Sequence, residues 1–194
     1  MIKAAIINVT GYAGVELARL LYRHPNTELV QVTGRSAAGQ KIGEVFPHLS
    51  DIELNIDEDI SASVDVVFSA LPQTASAEAL IPIVEKGIKA IDISADFRLK
   101  SASEYEEWYG VPHPKPQLLQ TSAYGLPELN KSEIQSSYLV ANPGCYPTAA
   151  LLALAPAVKA NIIHEDIIID AKSGVSGAGR SLNLTTHFSE VNEN

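Results

Sequence analysis

The segment "NPGCYPT", residues 142 to 148, places the single cysteine of the chain between a Pro-Gly corner and the apolar run "AALLALAP". A helix opening at Cys145 sets its sulfur beside amide N–H groups that lack intrahelical partners, at the positive end of the macrodipole. Those surroundings favour thiolate over thiol and offer donors to an oxyanion formed when sulfur attacks a carbonyl. Pro147 falls in the first turn, where it sacrifices no helical hydrogen bond and its fixed φ helps start the helix. A lone cysteine often serves as a small buried hydrophobe. Packing alone does not need a Pro-Gly corner, whereas a nucleophile presented at a strand-to-helix junction does.

A second group of residues suits a dinucleotide. "KAAIINV" followed by "TGYAGVELARLL" reads as strand, tight turn and helix, with Thr10, Gly11, Tyr12, Ala13 and Gly14 forming a cradle for a pyrophosphate. The usual fingerprint has a third glycine where this chain has Asn8, and two glycines at this spacing also serve close helix–strand packing. The next strand ends in "TGRSAAG". Where an NAD enzyme places Asp or Glu for the ribose hydroxyls, this chain offers Arg35 and Ser36, which suit a 2′-phosphate and favour NADP(H). An ordinary solvated charge is the other reading of Arg35.

These turns require strands behind them and helices in front. Gly14, Leu17, Ala18 and Leu21 recur at helical spacing, and Pro25 marks that helix's end. "ELVQVTG" (28 to 34), "VDVVFSAL" (64 to 71), a helix from about Thr74 to Lys86 closed by Gly87, and "IKAIDIS" (88 to 94) continue the alternation. The pattern predicts an α/β architecture: a doubly wound, Rossmann-like parallel sheet with helices on both faces. Residues 35 to 60 and 97 to 136 are less regular, and the second stretch, with Pro112, Pro114 and Pro116, reads as a surface excursion. After the cysteine helix, "EDIIIDAKSGVSGAGR" reads as a strong strand entering a glycine-rich loop. A lone strand cannot satisfy its backbone groups or hide its faces, so further chain or another subunit is expected beside it.

The 194 residues suffice for one domain and part of a second. With 23 acidic residues against 14 Lys and Arg, the net charge of -9 opposes general attraction to nucleic acid or an anionic membrane. One cysteine excludes a disulfide framework or a multi-cysteine zinc site, and a cytoplasmic location is expected. No His/Asp/Glu cluster has metal-ligand spacing, and no apolar run is long enough to span a bilayer.

"VANPGCYPTAALLALAP" (140 to 156), together with "TGYAGVELARLL", "VFPHL", "DISADFRL", "AYGLPEL" and "KSGVSGAGR" in that order, resembles the N-acetyl-gamma-glutamyl-phosphate reductase family. The resemblance implies an NADP-binding domain over residues 1–144 and, over 145–194, the start of an α+β domain for catalysis and subunit contacts. Cys145 would attack the acyl phosphate of N-acetyl-glutamyl phosphate, and reduction of the thioester by NADPH would give the semialdehyde. On the cofactor the family implies Leu71, Pro72, Ser173 and Gly174 besides the turn and Arg35–Ser36, though a glycine-rich turn also simply joins two elements. Arg98 in "SADFRL" has the planar fork that suits the acyl phosphate, or it pairs with Asp96 or a neighbouring acid. Asn142 is expected on the substrate beside it, and Tyr124 and Glu128 on the pocket wall.

Thioester chemistry also wants a histidine. The family supplies it from a segment expected just beyond "HFSEVNEN", and none of His24, His48, His113, His164 and His187 lies in such a motif. The chain is therefore expected to be the first part of the enzyme, a homo-oligomer when complete. Two alternatives stand beside this: the aminoadipyl-phosphate reductase of lysine biosynthesis, which shares the cysteine motif, and a module that binds NADP without turnover.

Overall fold

The computed structural model describes residues 1–163 and 166–191. In chain order they form β1 (Ile2–Ile7), α1 (Tyr12–Tyr22), β2 (Thr27–Thr33), α2 (Ile42–Val45), β3 (Ile56–Asp57), β4 (Val66–Ser69), α3 (Ala75–Glu85) and β5 (Lys89–Asp92). There follow α4 (Ala102–Tyr109), α5 (Pro116–Thr121), β6 (Ala123–Tyr124), α6 (Pro127–Ser136), β7 (Leu139–Ala141), α7 (Cys145–Lys159) and α8 (Phe188–Val191). The strands make one seven-stranded sheet in the order β3-β2-β1-β4-β5-β7-β6, with every neighbouring pair parallel. The order reverses between β1 and β4, the place where such sheets open a crevice at their carboxyl ends.

Successive residues of β1 show why the sheet must be covered twice. Ala4 and Ile6 join a core with Ala18 and Leu21 of α1 and Val32 of β2, while Ala5 joins Val67, Leu80 of α3 and Ala90 on the other face. A strand apolar on both faces is stable only between two layers of helix. The spacing expected for α1 holds, with Gly14, Ala18 and Leu21 buried along one side. Gly87 closes α3 at φ 76°, the left-handed conformation that glycine adopts without strain.

Two expectations need correction. Residues 97 to 136 are not merely a surface excursion: they supply α4, α5 and α6, and their Phe97, Tyr105 and Leu119 are fully buried in the second core. Of the three prolines that suggested a loop, Pro116 instead starts α5, as Pro127 starts α6, in a first turn where a missing N–H costs nothing, while Pro112 and Pro114 stay in the connection between α4 and α5. The strand expected after the cysteine helix is not formed over the described residues 166–172, which pair with no strand. Ile167, Ile168 and Ile169 are exposed there. β-propensity without a neighbouring edge leaves the backbone to water.

Candidate active site

The turn after β1 explains the missing glycine. Asn8 lies at φ 66°, in the left-handed region that Asn tolerates better than other side-chain-bearing residues. Its Nδ2 donates to the Ala70 carbonyl at 2.8 Å, tying β1 to the end of β4 across the switch point. Its Oδ1 accepts from Thr10 Oγ1 at 3.0 Å. Gly11 caps α1 without any side-chain hydrogen bond, so the first-turn amides remain available. Gly14 is required by contact: a Cβ there would lie 2.2 Å from the Asn8 carbonyl oxygen. Tyr12 and Ala13 are exposed beside the turn.

Beside this turn opens a cavity of about 780 Å³ whose wall includes Asn8, Gly34, Arg35, Ser36 and Leu71. Of the residues expected on the cofactor, Arg35, Ser36 and Leu71 thus share one wall with Asn8, while Thr10, Gly11, Tyr12, Ala13, Gly14 and Pro72 do not line it. Ser36 Oγ approaches Thr10 Oγ1 at 3.5 Å. The Pro72 carbonyl accepts from Ser76 N at 3.1 Å, bringing the chain into α3. Just before α3, Thr74 adopts φ 68°, an unfavourable value for a β-branched residue. The Asp96 carboxylate holds it there, accepting from Thr74 N at 2.9 Å and Ala77 N at 2.8 Å. A buried carboxylate thus satisfies the first amides of α3 from another element.

Asp96 also accepts from Tyr105 Oη at 2.8 Å. Burial, reinforced by that bond, pushes the Tyr105 phenol up to about 12. Beside Tyr105, His113 accepts from Lys115 N through Nδ1, which leaves the ring proton on Nε2, a buried atom without a partner among the described residues. Burial holds the His113 pKa below its ordinary value, against the charge of Asp96.

The cysteine turn is built on β5 and β7. Asn142 N donates to the Asp92 carbonyl at 2.8 Å, extending the sheet by one bond before the chain turns through Pro143 and Gly144. Cys145 is the first residue of α7 and is exposed. Pro147 lies in the first turn, as the sequence implied. Below, Asp92 is fully buried; burial raises its pKa, while hydrogen bonds from Ser76 and Ser94 oppose the rise.

Arg98 reaches this turn from the loop after β5. Nε donates to the Asn142 carbonyl and Nη2 to the Ile93 carbonyl, each at 2.8 Å. The side chain lies directly under the helix start, since a Cβ on Gly144 would come within 3.0 Å of Arg98 Nη1. It does not pair with Asp96, whose oxygens serve α3 and Tyr105. Arg98 also faces Tyr124, whose phenol is raised by burial against the guanidinium's opposing charge. Asn142 turns its side-chain amide to the Pro143 carbonyl at 3.1 Å.

The glycine-rich loop brings an unexpected residue. Ser173 donates to the Gly174 carbonyl, and among the described residues neither is hydrogen-bonded to the nucleotide turn or to Cys145. Arg180, seven positions on from Ser173, instead donates from Nη1 to the Thr10 carbonyl at 2.6 Å. Its only sequence signal was its place at the end of "KSGVSGAGR". His187 is exposed and makes no contact with Cys145 among the described residues, while His164 lies outside them. Among the described residues no group of His, Cys, Asp and Glu could hold a metal, and no helix is long and apolar enough to cross a membrane.

Comparison with known proteins accords with this geometry. The family described as "Semialdehyde dehydrogenase, NAD binding domain" matches residues 3–137, and "Semialdehyde dehydrogenase, dimerisation domain" matches residues 145–194. Among curated proteins, an N-acetyl-gamma-glutamyl-phosphate reductase of Dehalococcoides mccartyi is 54% identical over 191 residues, covering 98% of this chain and 56% of that protein. One from Pelotomaculum thermopropionicum is 53% identical over 200 residues, covering 100% of this chain and 57% of that protein. The chain thus spans little more than half the length of these relatives. Among solved structures, aspartate semialdehyde dehydrogenase with NADP from Candida albicans superposes with a TM-score of 0.63 at 17% identity, covering 82% of this chain and 47% of that one. The Vibrio cholerae enzyme complexed with ASA gives 0.60 at 18% identity, over 82% of this chain and 47% of the other, and both support the fold. With its parallel sheet, its dinucleotide turn and a family match over residues 3–137, the chain belongs to the semialdehyde dehydrogenase family.

Proposed function

We propose that this chain is the nucleotide-binding part, with the opening of the catalytic part, of an NADPH-dependent N-acetyl-gamma-glutamyl-phosphate reductase of arginine biosynthesis. One observation carries the reading: Cys145 opens a helix directly after β7, and the dinucleotide turn opens one after β1, at the same carboxyl edge of one parallel sheet. The relatives' names supply the substrate. The division proposed lies between residues 144 and 145, and the family match beginning at 145 supports it and a homo-oligomeric complete enzyme. A cytosolic location suits the single free thiol.

The residues present fit a dinucleotide: an open backbone approach at Gly11, close helix–strand packing at Gly14, uncapped first-turn amides, and a cavity whose wall includes Arg35 and Ser36. Thr10, Gly11, Tyr12, Ala13 and Gly14 would hold the pyrophosphate, with Leu71 and Pro72 along the crevice. Arg35 and Ser36 favour NADP through its 2′-phosphate. When bound, the cofactor would supply hydride to the acyl carbon.

Cys145 does the covalent work. Its sulfur bonds to the acyl carbon of the substrate, the oxyanion is met by the Cys145 and Tyr146 amides, and the carbon–oxygen bond to phosphate breaks to leave a thioester. After reduction the carbon–sulfur bond breaks, returning the thiolate and releasing the semialdehyde. Arg98 keeps Nη1 free of hydrogen bonds among the described residues, and we assign that edge to the acyl phosphate, with Asn142 beside it. Ser173 and Gly174 are proposed at the nicotinamide side.

The test runs the reaction backwards, following NADPH absorbance with N-acetyl-glutamate semialdehyde, NADP and phosphate, and with Cys145→Ser as control. Turnover that disappears in the control supports the reading, and faster turnover of the aminoadipate semialdehyde analogue would move the substrate to the lysine pathway. One observation favours a second reading, in which this chain binds NADP without turnover: no described histidine meets Cys145. NADPH binding with no turnover is its signature.

A further inference from the structure

We infer that Arg180 is a second cation for the 2′-phosphate of the cofactor, carried to the junction of Thr10 and Ser36 by the glycine-rich loop that follows the cysteine helix. The inference rests on the NADP reading above and adds a specificity residue from a part of the chain 170 positions away from the nucleotide turn.

Two anchors fix the guanidinium. Nη1 donates to the Thr10 carbonyl at 2.6 Å, and Cζ lies 5.6 Å from the centroid of the buried Phe46 ring. Thr10 meets Ser36 through its hydroxyl, so its two polar oxygens face Arg180 on one side and the end of β2 on the other. The anchors use one donor and one face of the fork. Nε and Nη2 carry no hydrogen bond among the described residues, and a planar pair of donors of that kind is suited to a phosphate.

Charge around the cavity supplies the need. Its wall carries Glu58, Asp59 and Glu78 against Arg35 and Lys86. A 2′-phosphate brought to Arg35 and Ser36 therefore meets more carboxylates than cations unless a further positive group stands close. Arg180 does not line the cavity itself but stands one residue away from Ser36 through Thr10, and is that group. A residue that only pinned its loop would treat both dinucleotides alike, whereas a 2′-phosphate ligand distinguishes them.

The experiment titrates NADPH and NADH fluorescence against this chain, using the unaltered protein, Arg180→Gln, Arg180→Lys and Arg35→Gln, at low and high salt. We expect Arg180→Gln to weaken NADPH about tenfold, to leave NADH within about twofold, and to flatten the salt dependence of NADPH binding. Arg180→Lys, which keeps the charge and loses the fork, is expected to fall between. Equal weakening of both dinucleotides by Arg180→Gln, or no weakening of either, overturns the inference. If Arg35→Gln abolishes the preference for NADPH and Arg180→Gln does not, the NADP reading stands and the role of Arg180 falls. If the unaltered chain binds NADH as tightly as NADPH, both fall together.

Discussion

Arg98 Nε donates to the main-chain carbonyl of Asn142 at 2.8 Å, so the guanidinium is a brace for the turn that carries Cys145. With Nη2 on the Ile93 carbonyl, it bridges the ends of β5 and β7 under Gly144. We predict that Arg98→Lys, which cannot span both carbonyls, slows alkylation of Cys145 by iodoacetamide, a reaction with no phosphate to bind. It is also expected to cost about 1–3 kcal/mol of stability in denaturant unfolding. An unchanged alkylation rate with a raised KM for the acyl phosphate would restrict Arg98 to substrate binding.

Asn8 inverts the usual ranking of small residues. Asn8→Gly removes only the bonds to Ala70 and Thr10 and keeps a backbone at ease at φ 66°. Asn8→Ala loses the same bonds and adds left-handed strain of about 1–2 kcal/mol. Thermal unfolding should therefore rank the native chain first, the glycine variant second and the alanine variant last.

Crowding at Gly14 leaves no room for a methyl group. Because the added carbon would meet the Asn8 carbonyl oxygen at 2.2 Å and Val9 Cα at 2.7 Å, backbone must shift. Gly14→Ala is expected to lose about 1–3 kcal/mol and to weaken NADPH in fluorescence titration, since the same shift displaces the turn. Full NADPH affinity in this variant would show that the turn does not contact the cofactor.

His113 gives the fold an acid-side weakness. Its native pKa is lowered by burial, with Asp96 opposing, so as pH falls through the unfolded-state value near 6.5 the unfolded chain takes up the proton first. The stability it contributes is complete above that value and drains away toward the native pKa. His113→Phe, which keeps a ring against Phe97 and Tyr105, should flatten the fall in unfolding free energy that begins near pH 6.5.

Much of this was written in local pattern. Apolar runs marked β1, β2, β4 and β5, helical spacing marked α1 and α3, and the Pro-Gly corner marked the start of α7. Partners distant in sequence were not legible. Asp96 caps α3 across 22 residues to Thr74, Arg98 braces a carbonyl 44 residues on, and Arg180 reaches back 170 to Thr10. Nothing in spacing or composition encodes such pairs. The run at 166–172 shows the opposite failure, where strong β-propensity predicted a strand and, among the described residues, no edge lies beside it.

That run has a colloidal consequence. Ile167, Ile168 and Ile169 stand 43, 94 and 58% exposed, and among the described residues no strand lies beside them to use their amides and carbonyls. Short apolar, β-prone segments with open backbone are templates for cross-β association between molecules. The isolated chain is expected to associate as its concentration rises, and a charged residue in place of Ile168 is the substitution expected to oppose it.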